Sequence, residues 1–89
     1  MRTIYRYPLR VTDVQTITGP GLDQIVSVDN RRGELEVWGE VNTAEIDVTW
    51  KVYVVGTGNS ADHVVWADHV GHVIDGPFVW HVYARRDEA

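Results

Sequence analysis

Histidines and acids lie close together after residue 60, and these residue types could bind a metal ion. The group comprises Asp62, His63, Asp68, His69 and His72. Imidazoles and carboxylates are common Zn²⁺ ligands. In a strand, however, His69 and His72 point to opposite faces, and His63 lies roughly 20 Å from His69 at about 3.3 Å per residue. Convergence would need a bulge or another chain, so we predict no metal site and interpret residues 63–75 as an exposed edge strand.

The last apolar run contains the fourth histidine, beside a tryptophan. Alternation gives this strand two faces, Phe78, Trp80 and Val82 against Val79, His81 and Tyr83. Both faces are largely apolar, which places the strand either in the centre of a sheet or under a partner. His81 is then either a buried neutral histidine or a contact for a ligand or a second subunit. General acid–base catalysis would need a partner residue that the sequence does not offer.

Three arginines near the N-terminus could contact phosphate. Arg2, Arg6 and Arg10 recur every four residues, so they share one face of a strand. Guanidinium groups bind phosphate or carboxylate in bidentate geometry. These arginines either face a phosphorylated ligand or pair with the acidic hairpin that carries Glu34, Glu36 and Glu40. A GC-rich genome would produce the same preference for arginine without any function.

A glycine-rich turn, GTGN, occupies residues 56–59. No lysine and no helical pattern follow it, so it is not a nucleotide-binding P-loop. Its backbone N–H groups could form a small anion nest, or the turn could be a plain loop. Thr57 and Asn59 supply polar side chains at this point of the chain.

Two tryptophans are candidate contacts for a partner protein. Trp38 falls on the acidic, outward face of residues 34–41, and Trp66 lies in the strand expected over residues 63–75. Exposed tryptophan on a small domain is usually covered by a binding partner. We therefore predict that Trp38 and Trp66 lie at interfaces.

A two-residue hydrophobic period dominates the chain. It is clearest over residues 45–55, where one face carries Ile46, Val48, Trp50, Val52 and Val54. The pattern predicts an all-β fold of about seven short antiparallel strands in a small sandwich or barrel, with no substantial helix. Residues 1–86 form one domain in this interpretation, and residues 87–89 form a disordered tail.

Finer predictions concern individual strands. The first strand should turn Tyr5, Tyr7, Leu9 and Val11 inward. Pro8, which lacks an N–H, indicates that this strand lies at an edge or is broken there. In the next hairpin, the first strand should align Leu22, Val26 and Val28 on one face. The second strand should have Leu35, Val37 and Val41 on its apolar face. Gly39 indicates a bulge or a close backbone approach.

Composition excludes several classes of protein. The 89 residues include no cysteine, so disulfide and thiolate chemistry are absent, and no apolar stretch is long enough to cross a membrane. A net charge of −5 argues against general nucleic-acid binding. A core this small favours a homo-oligomer. We expect a cytoplasmic protein with no cofactor.

Four segments, YRYPL, VTDVQTI, VVGTGN and GPFVWHV, together resemble a family of short uncharacterised bacteriophage proteins. That family carries Tyr-x-Tyr-Pro-Leu, a Gly-Thr-Gly-His turn and a Phe-Val-Trp-His-Val ending. Asn59 stands where the family has histidine, so no role of that histidine carries over. The resemblance implies phage origin and action in the host cytoplasm. Small phage proteins outside the virion often neutralise host defence, in some cases as oligomers that sequester a nucleotide signal.

Two functional hypotheses follow, and neither is an enzyme. In the first, a homo-oligomer binds a small phosphorylated ligand, with arginine on phosphate, an aromatic ring on a base, and polar groups for orientation. The residues assigned to these roles are Arg6, Arg10, Tyr7, Trp80, Thr57, Asn59 and His81. In the second, the protein grips a host or virion protein through Trp38 and the acidic hairpin. We expect no catalytic residues in either case.

Overall fold

A computed structural model describes residues 1–88, which form seven antiparallel strands in two packed sheets. The strands are β1 (Arg2–Leu9), β2 (Gln15–Pro20), β3 (Gln24–Arg31), β4 (Glu34–Asn42), β5 (Asp47–Gly56), β6 (Asp68–Asp75) and β7 (Phe78–Arg86). One three-residue 3₁₀ helix, Asp62–Val64, is the only helix within these 88 residues. The predicted all-β fold class is confirmed.

Each sheet has a defined strand order. The first sheet is β1-β4-β3 and the second is β2-β5-β7-β6. Pro8 pairs with Glu36 on the edge strand β1, as expected for a residue that cannot donate to a second neighbour. β7 lies between β5 and β6, so the last strand is central in its sheet, as one of the two interpretations predicted. This position does not cover its outer face, where Val79, His81 and Tyr83 are only partly buried, and the alternative of a covering partner stays a prediction.

The inward faces of the two sheets form the core. β4 contributes Leu35, Val37 and Val41, and the second sheet contributes Val52 and Val82, all buried. The alternation predicted for β4 is therefore confirmed. Burying a valine or leucine side chain stabilises the fold by about 1.5–3 kcal/mol, so this layer is the main source of stability.

Leu22 anchors the contact between the sheets although it lies outside any strand. Its side chain is fully buried, and its carbonyl accepts a hydrogen bond from Trp50 Nε1 at 2.9 Å. A Cβ on Gly39 would lie 2.6 Å from Leu22 Cδ1. The group that approaches Gly39 is thus a side chain, not the second backbone that was predicted, and glycine leaves room for it.

The sheets also meet along one side, where β3 lies against β6. Asn30 Nδ2 donates to the carbonyl of Ile74 at 2.9 Å, and Asn30 Oδ1 accepts from the backbone N–H of Gly33 at 2.9 Å. One asparagine thus closes the β3–β4 hairpin and ties it to the other sheet. The end of the sandwich that carries this hairpin also carries the β6–β7 turn.

Several predicted facings are wrong, and each has a local cause. Val11 is exposed because β1 ends at Leu9. Tyr5, by contrast, has the predicted inward facing, since it pairs with Gly39 and shares the face of Tyr7, and it is 39% exposed only because it lies on an edge strand. The register of β3 shifts between Ile25 and Ser27, which turns Val26 outward and places Ile25 in the core. Ile46, also predicted inward, is 87% exposed because β5 begins one residue later.

The strand predicted over residues 63–75 is wrong in its first five residues. β5 and β6 flank β7, so their connection has to cross β7, and residues 57–67 make that crossover. Val64 is buried against Tyr53 and Val55 on the outer face of the second sheet. β6 itself begins only at Asp68.

The chain end continues the pairing by one residue. The backbone N–H of Asp87 donates to the carbonyl of Thr49 at 2.9 Å. The disordered tail predicted for residues 87–89 stays a prediction, and Ala89 lies outside the described residues. Within residues 1–88, no helix has the length and apolar character needed to cross a membrane.

The contact between Gly39 and Leu22 predicts a stability effect. Gly39→Ala should lower the free energy of unfolding by about 1–3 kcal/mol, because the new methyl group overpacks a core that cannot shift. Urea denaturation measures this difference. Ser27→Ala, an exposed position of the same sheet, should stay within about 0.5 kcal/mol of the wild type. Equal stability of the two variants would contradict the packing described.

Candidate functional site

Arg2 and Arg6 lie on the outward face of the first sheet. Arg6 Nε is 3.6 Å from Glu36 Oε2, and Arg31 Nε is 3.4 Å from Glu36 Oε1. Arg2 approaches both Asp23 and Glu40 within 4 Å. Pairing with the acidic hairpin, one of the two predicted roles, is thus confirmed for Arg2 and Arg6.

A depression of about 440 Å³ surrounds Arg6. Its lining residues are Arg6, Pro8, Arg31, Arg32, Glu34 and Glu36. Three guanidinium groups face two carboxylates, which leaves a formal charge of +1. We call this feature the cationic depression. Arg32 adopts a left-handed backbone with φ of 55°, which places it at the tip of the β3–β4 hairpin.

Sequence analysis missed Arg31 and Arg32 as members of a site. The segment DNRRGE signalled a hairpin turn, and nothing in it showed that the turn lies beside Arg6. Pairing of both β1 and β3 with β4 creates that proximity. Arg10 lies outside the cationic depression, because β1 ends at Leu9. The backbone N–H and carbonyl of Arg10 are instead hydrogen-bonded to the side chain of Gln15.

A second cluster lies where β5 ends and β7 begins. Thr57 Oγ1 and His81 Nε2 are 2.8 Å apart. Trp80 stacks on Phe78 with ring centroids 5.3 Å apart, and its indole N–H is buried without a hydrogen-bond partner. Trp80 and Asn59 line the same groove, whose volume is about 220 Å³. The predicted site residues at this end of the sheet thus form two pairs, Asn59 with Trp80 in the groove, and Thr57 with His81 on the opposite face of β7.

The cationic depression and this groove are connected. Between them lies a shallow depression of about 370 Å³ lined by Pro8, Leu9, Val11, Gly33, Glu34 and Leu35. It shares Pro8 and Glu34 with the cationic depression, and it shares Val11 with the groove at Trp80. Because neighbouring features share lining residues, we group the three and call them the end strip.

Tyr7 does not belong to the end strip. It points between the sheets, where its hydroxyl is buried next to Gly19 and has no hydrogen-bond partner. Burial raises the pKa of the Tyr7 hydroxyl above its ordinary value of 10.0, with smaller contributions from Tyr5 and Asp47. Its place is that of a core residue, away from the Trp80 groove.

All four histidines contact the outer face of the second sheet. His72 lies directly opposite His81, His69 packs edge-on against Tyr83, and His63 packs edge-on against Tyr53. The prediction that His69 and His72 point to opposite faces is wrong. The register of β6 shifts between His69 and Gly71, and the extra residue brings both histidines to one face.

The histidines do not converge into a larger metal-binding cluster. Across residues 1–88, no three His, Cys, Asp or Glu side chains come close enough to hold one ion. His69 and His72 instead contact aromatic or imidazole rings on β7.

The two predicted interface tryptophans differ in exposure. Trp38 lies on the outer face of the first sheet between Arg6 and Ser27 and is half-buried. Trp66 lies in the crossover, where 88% of its surface is exposed, and the neighbouring Val65 is 68% exposed. Trp66 is therefore the more accessible of the two for a partner.

Comparisons with known proteins yield one match. A family model described as a domain of unknown function, DUF7352, matches residues 1–89. No curated protein and no solved structure matches the chain.

The buried hydroxyl of Tyr7 predicts a pH effect on stability. The folded protein holds this proton to higher pH than the unfolded chain, so the contribution is complete below pH 10.0 and is lost as the pH rises through the raised pKa. Tyr7→Phe lacks this titration. Urea denaturation at increasing alkaline pH should show wild-type stability falling more steeply than that of Tyr7→Phe. Parallel curves would contradict the buried position.

Proposed function

The chain belongs to the DUF7352 family, and on this premise we propose that it is a non-catalytic accessory protein that binds a small nucleotide-type ligand along the end strip. The observation that carries the proposal is that neighbouring parts of this strip share lining residues. The strip includes a cationic depression and a groove lined by an aromatic side chain. Nucleotides combine the same two chemistries, an anionic phosphate and a flat base.

Phosphate recognition would take place in the cationic depression. Guanidinium groups donate paired hydrogen bonds to phosphate oxygens. Arg6 and Arg31 share Glu36 as a counterion, whereas Arg32 forms no ion pair among the described residues. Arg32 is thus the arginine whose donors are most available to an incoming anion. Arg10 keeps its predicted role only if a ligand extends beyond the strip.

Base recognition would take place beside Trp80. Stacking of a base on an aromatic side chain contributes about 1–3 kcal/mol and tolerates any base. Phe78, which stacks on Trp80 and is 55% exposed, enlarges this aromatic surface. Asn59 lies in the same groove and offers polar groups for orientation. Thr57 and His81 contact each other on the opposite face of β7 from Trp80, so they keep their predicted role only for a ligand that extends around the end of this strand.

A second subunit would complete the site. The end strip is shallow, and two exposed apolar residues lie at it, Val11 in its lining and Phe78 against Trp80. A homo-oligomer that covers these residues would enclose a ligand that one subunit only partly surrounds. Phage origin and sequestration of a host-defence signal in the host cytoplasm form part of this proposal. Their support is the motif resemblance.

A protein-interaction module is the second candidate. Trp66 favours it, because tryptophan is enriched among residues that dominate interface energies and this one is almost fully exposed. The version based on Trp38 and the acidic hairpin has less support, since Trp38 is half-buried and Glu36 and Glu40 are paired with arginines.

The nucleotide proposal predicts a specific calorimetric result. Titration of the full chain with cyclic and ADP-ribose-derived nucleotides should give saturable heat with at least one member. Arg32→Gln and Arg6→Gln should each weaken that binding about tenfold or more, because a hydrogen bond to a charged group contributes about 1.5–3 kcal/mol. No heat with any member at large excess would contradict the proposal.

Arg2→Gln is the matched control. Arg2 shares the strand, the face and the acidic pairing of Arg6 but lies outside the cationic depression. The Arg2→Gln variant should therefore bind the nucleotide as tightly as the wild type does. An equal loss in Arg2→Gln would indicate a general charge effect instead of a site.

The interaction module makes a different prediction. In a pull-down from host lysate, Trp66→Ala should lose a captured protein that the wild type and Trp38→Ala both retain, since only Trp66 is fully accessible. Mass spectrometry of the bound fraction measures this loss. Retention by Trp66→Ala together with loss in Trp38→Ala would instead favour the outer face of the first sheet.

A further inference from the structure

His72 and His81 form a pair across neighbouring strands. The β6–β7 register places them directly opposite each other, and their ring centroids are 6.1 Å apart. Both side chains leave the outer face of the second sheet, where His72 is exposed and His81 is half-exposed. A bulge earlier in β6 is what brings His72 to this face. Two imidazoles on paired strands are thus held next to each other by the sheet.

Thr57 orients one ring of this pair. Its hydroxyl is 2.8 Å from His81 Nε2 and 3.4 Å from the carbonyl oxygen of Val79. The Val79 oxygen can only accept, whereas the contact with Nε2 can run in either direction, depending on the tautomer of His81. In the tautomer that carries its proton on Nε2, His81 donates to the hydroxyl and the hydroxyl donates to Val79. A neutral His81 then has its free lone pair on Nδ1. Metal-bound histidines have this arrangement, in which the second ring nitrogen donates to a neighbouring oxygen.

From these contacts we infer that His72 and His81 bind a divalent transition-metal ion such as Zn²⁺ or Ni²⁺, with Thr57 as the positioning residue. A zinc–nitrogen bond of about 2.0–2.1 Å places the centres of two imidazoles on one tetrahedral ion roughly 5 Å apart. The observed separation of 6.1 Å is about 1 Å larger, so metal binding would require the two rings to move closer together. Imidazole is a preferred ligand of zinc, nickel and copper.

The ion would keep two open positions. Within residues 1–88 no third His, Cys, Asp or Glu joins the pair, so water, an anionic ligand or a second copy of the chain would complete the coordination. This inference does not depend on nucleotide binding, since the metal alone is the probe. Failure of either proposal leaves the other intact, although both involve Thr57 and His81.

Calorimetric titration of the full chain with Zn²⁺ and, separately, Ni²⁺ tests the pair. The wild type should bind saturably, and His72→Ala and His81→Gln should each weaken binding at least tenfold. His63→Ala and His69→Ala are matched controls, because these exposed histidines contact the same sheet face but lie outside the pair. Absence of saturable binding, or equal losses in the controls, would overturn the inference.

Thr57 provides a second, independent readout. Thr57→Val removes the hydroxyl while keeping the shape, and it should weaken metal affinity about tenfold, whereas Thr57→Ser should restore it. Imidazole ¹⁵N spectra should also show the proton of neutral His81 on Nε2 in the wild type. Unchanged affinity in Thr57→Val, or a proton on Nδ1, would overturn the role of Thr57.

Discussion

The hydrogen-bonded register of β7 against β5 and β6 is the constraint on which the second sheet depends. It places Val82 between Val54 and Gly71, facing the core, and it places His81 between Val55 and His72, facing outward. Side chains alternate with a period of two, so a slip of one residue would exchange these faces. Burial of Val82 makes that slip costly. Burial of Val82 on the inner face of β7 therefore also fixes which residues, His81 among them, lie on the outer face.

Glu36 has a corresponding role in the first sheet. Its side chain is only 10% exposed, yet it carries a carboxylate beside two guanidinium groups. A buried charge without partners is strongly unfavourable, so Arg6 and Arg31 have to remain near it. Their shared carboxylate thereby holds two arginines together at the surface. The cationic depression exists because a partly buried acid requires counterions.

The crossover between β5 and β6 buries one of its side chains and exposes another. It buries Val64 against Tyr53 and Val55, and in doing so it presents Trp66 to solvent. The same crossover covers only part of the outer face. Thr57 and His72 remain exposed, which leaves the paired imidazoles accessible. The crossover therefore covers Tyr53 and Val55 but leaves the pair of His72 and His81 open to solvent.

Local patterns in the chain predicted much of the fold. The alternation in β4 and β7 identified real strands, Pro8 identified an edge, and Gly39 identified a close contact. These signals are local because each depends on one residue type or a short period. The errors arose at Val26 and in β6, where bulges shift the pairing, and bulges depend on what a partner strand requires.

The sequence by itself determined the all-β class, the central position of the last strand as one of two alternatives, and the residue types available for binding. Only the tertiary structure decided which of those residues meet. Arg31 and Arg32 come beside Arg6 because β1 and β3 pair with the same strand, and His72 meets His81 because β6 contains a shift in register. Hydrophobic periodicity specifies the face of a residue, whereas strand order and register specify its neighbours.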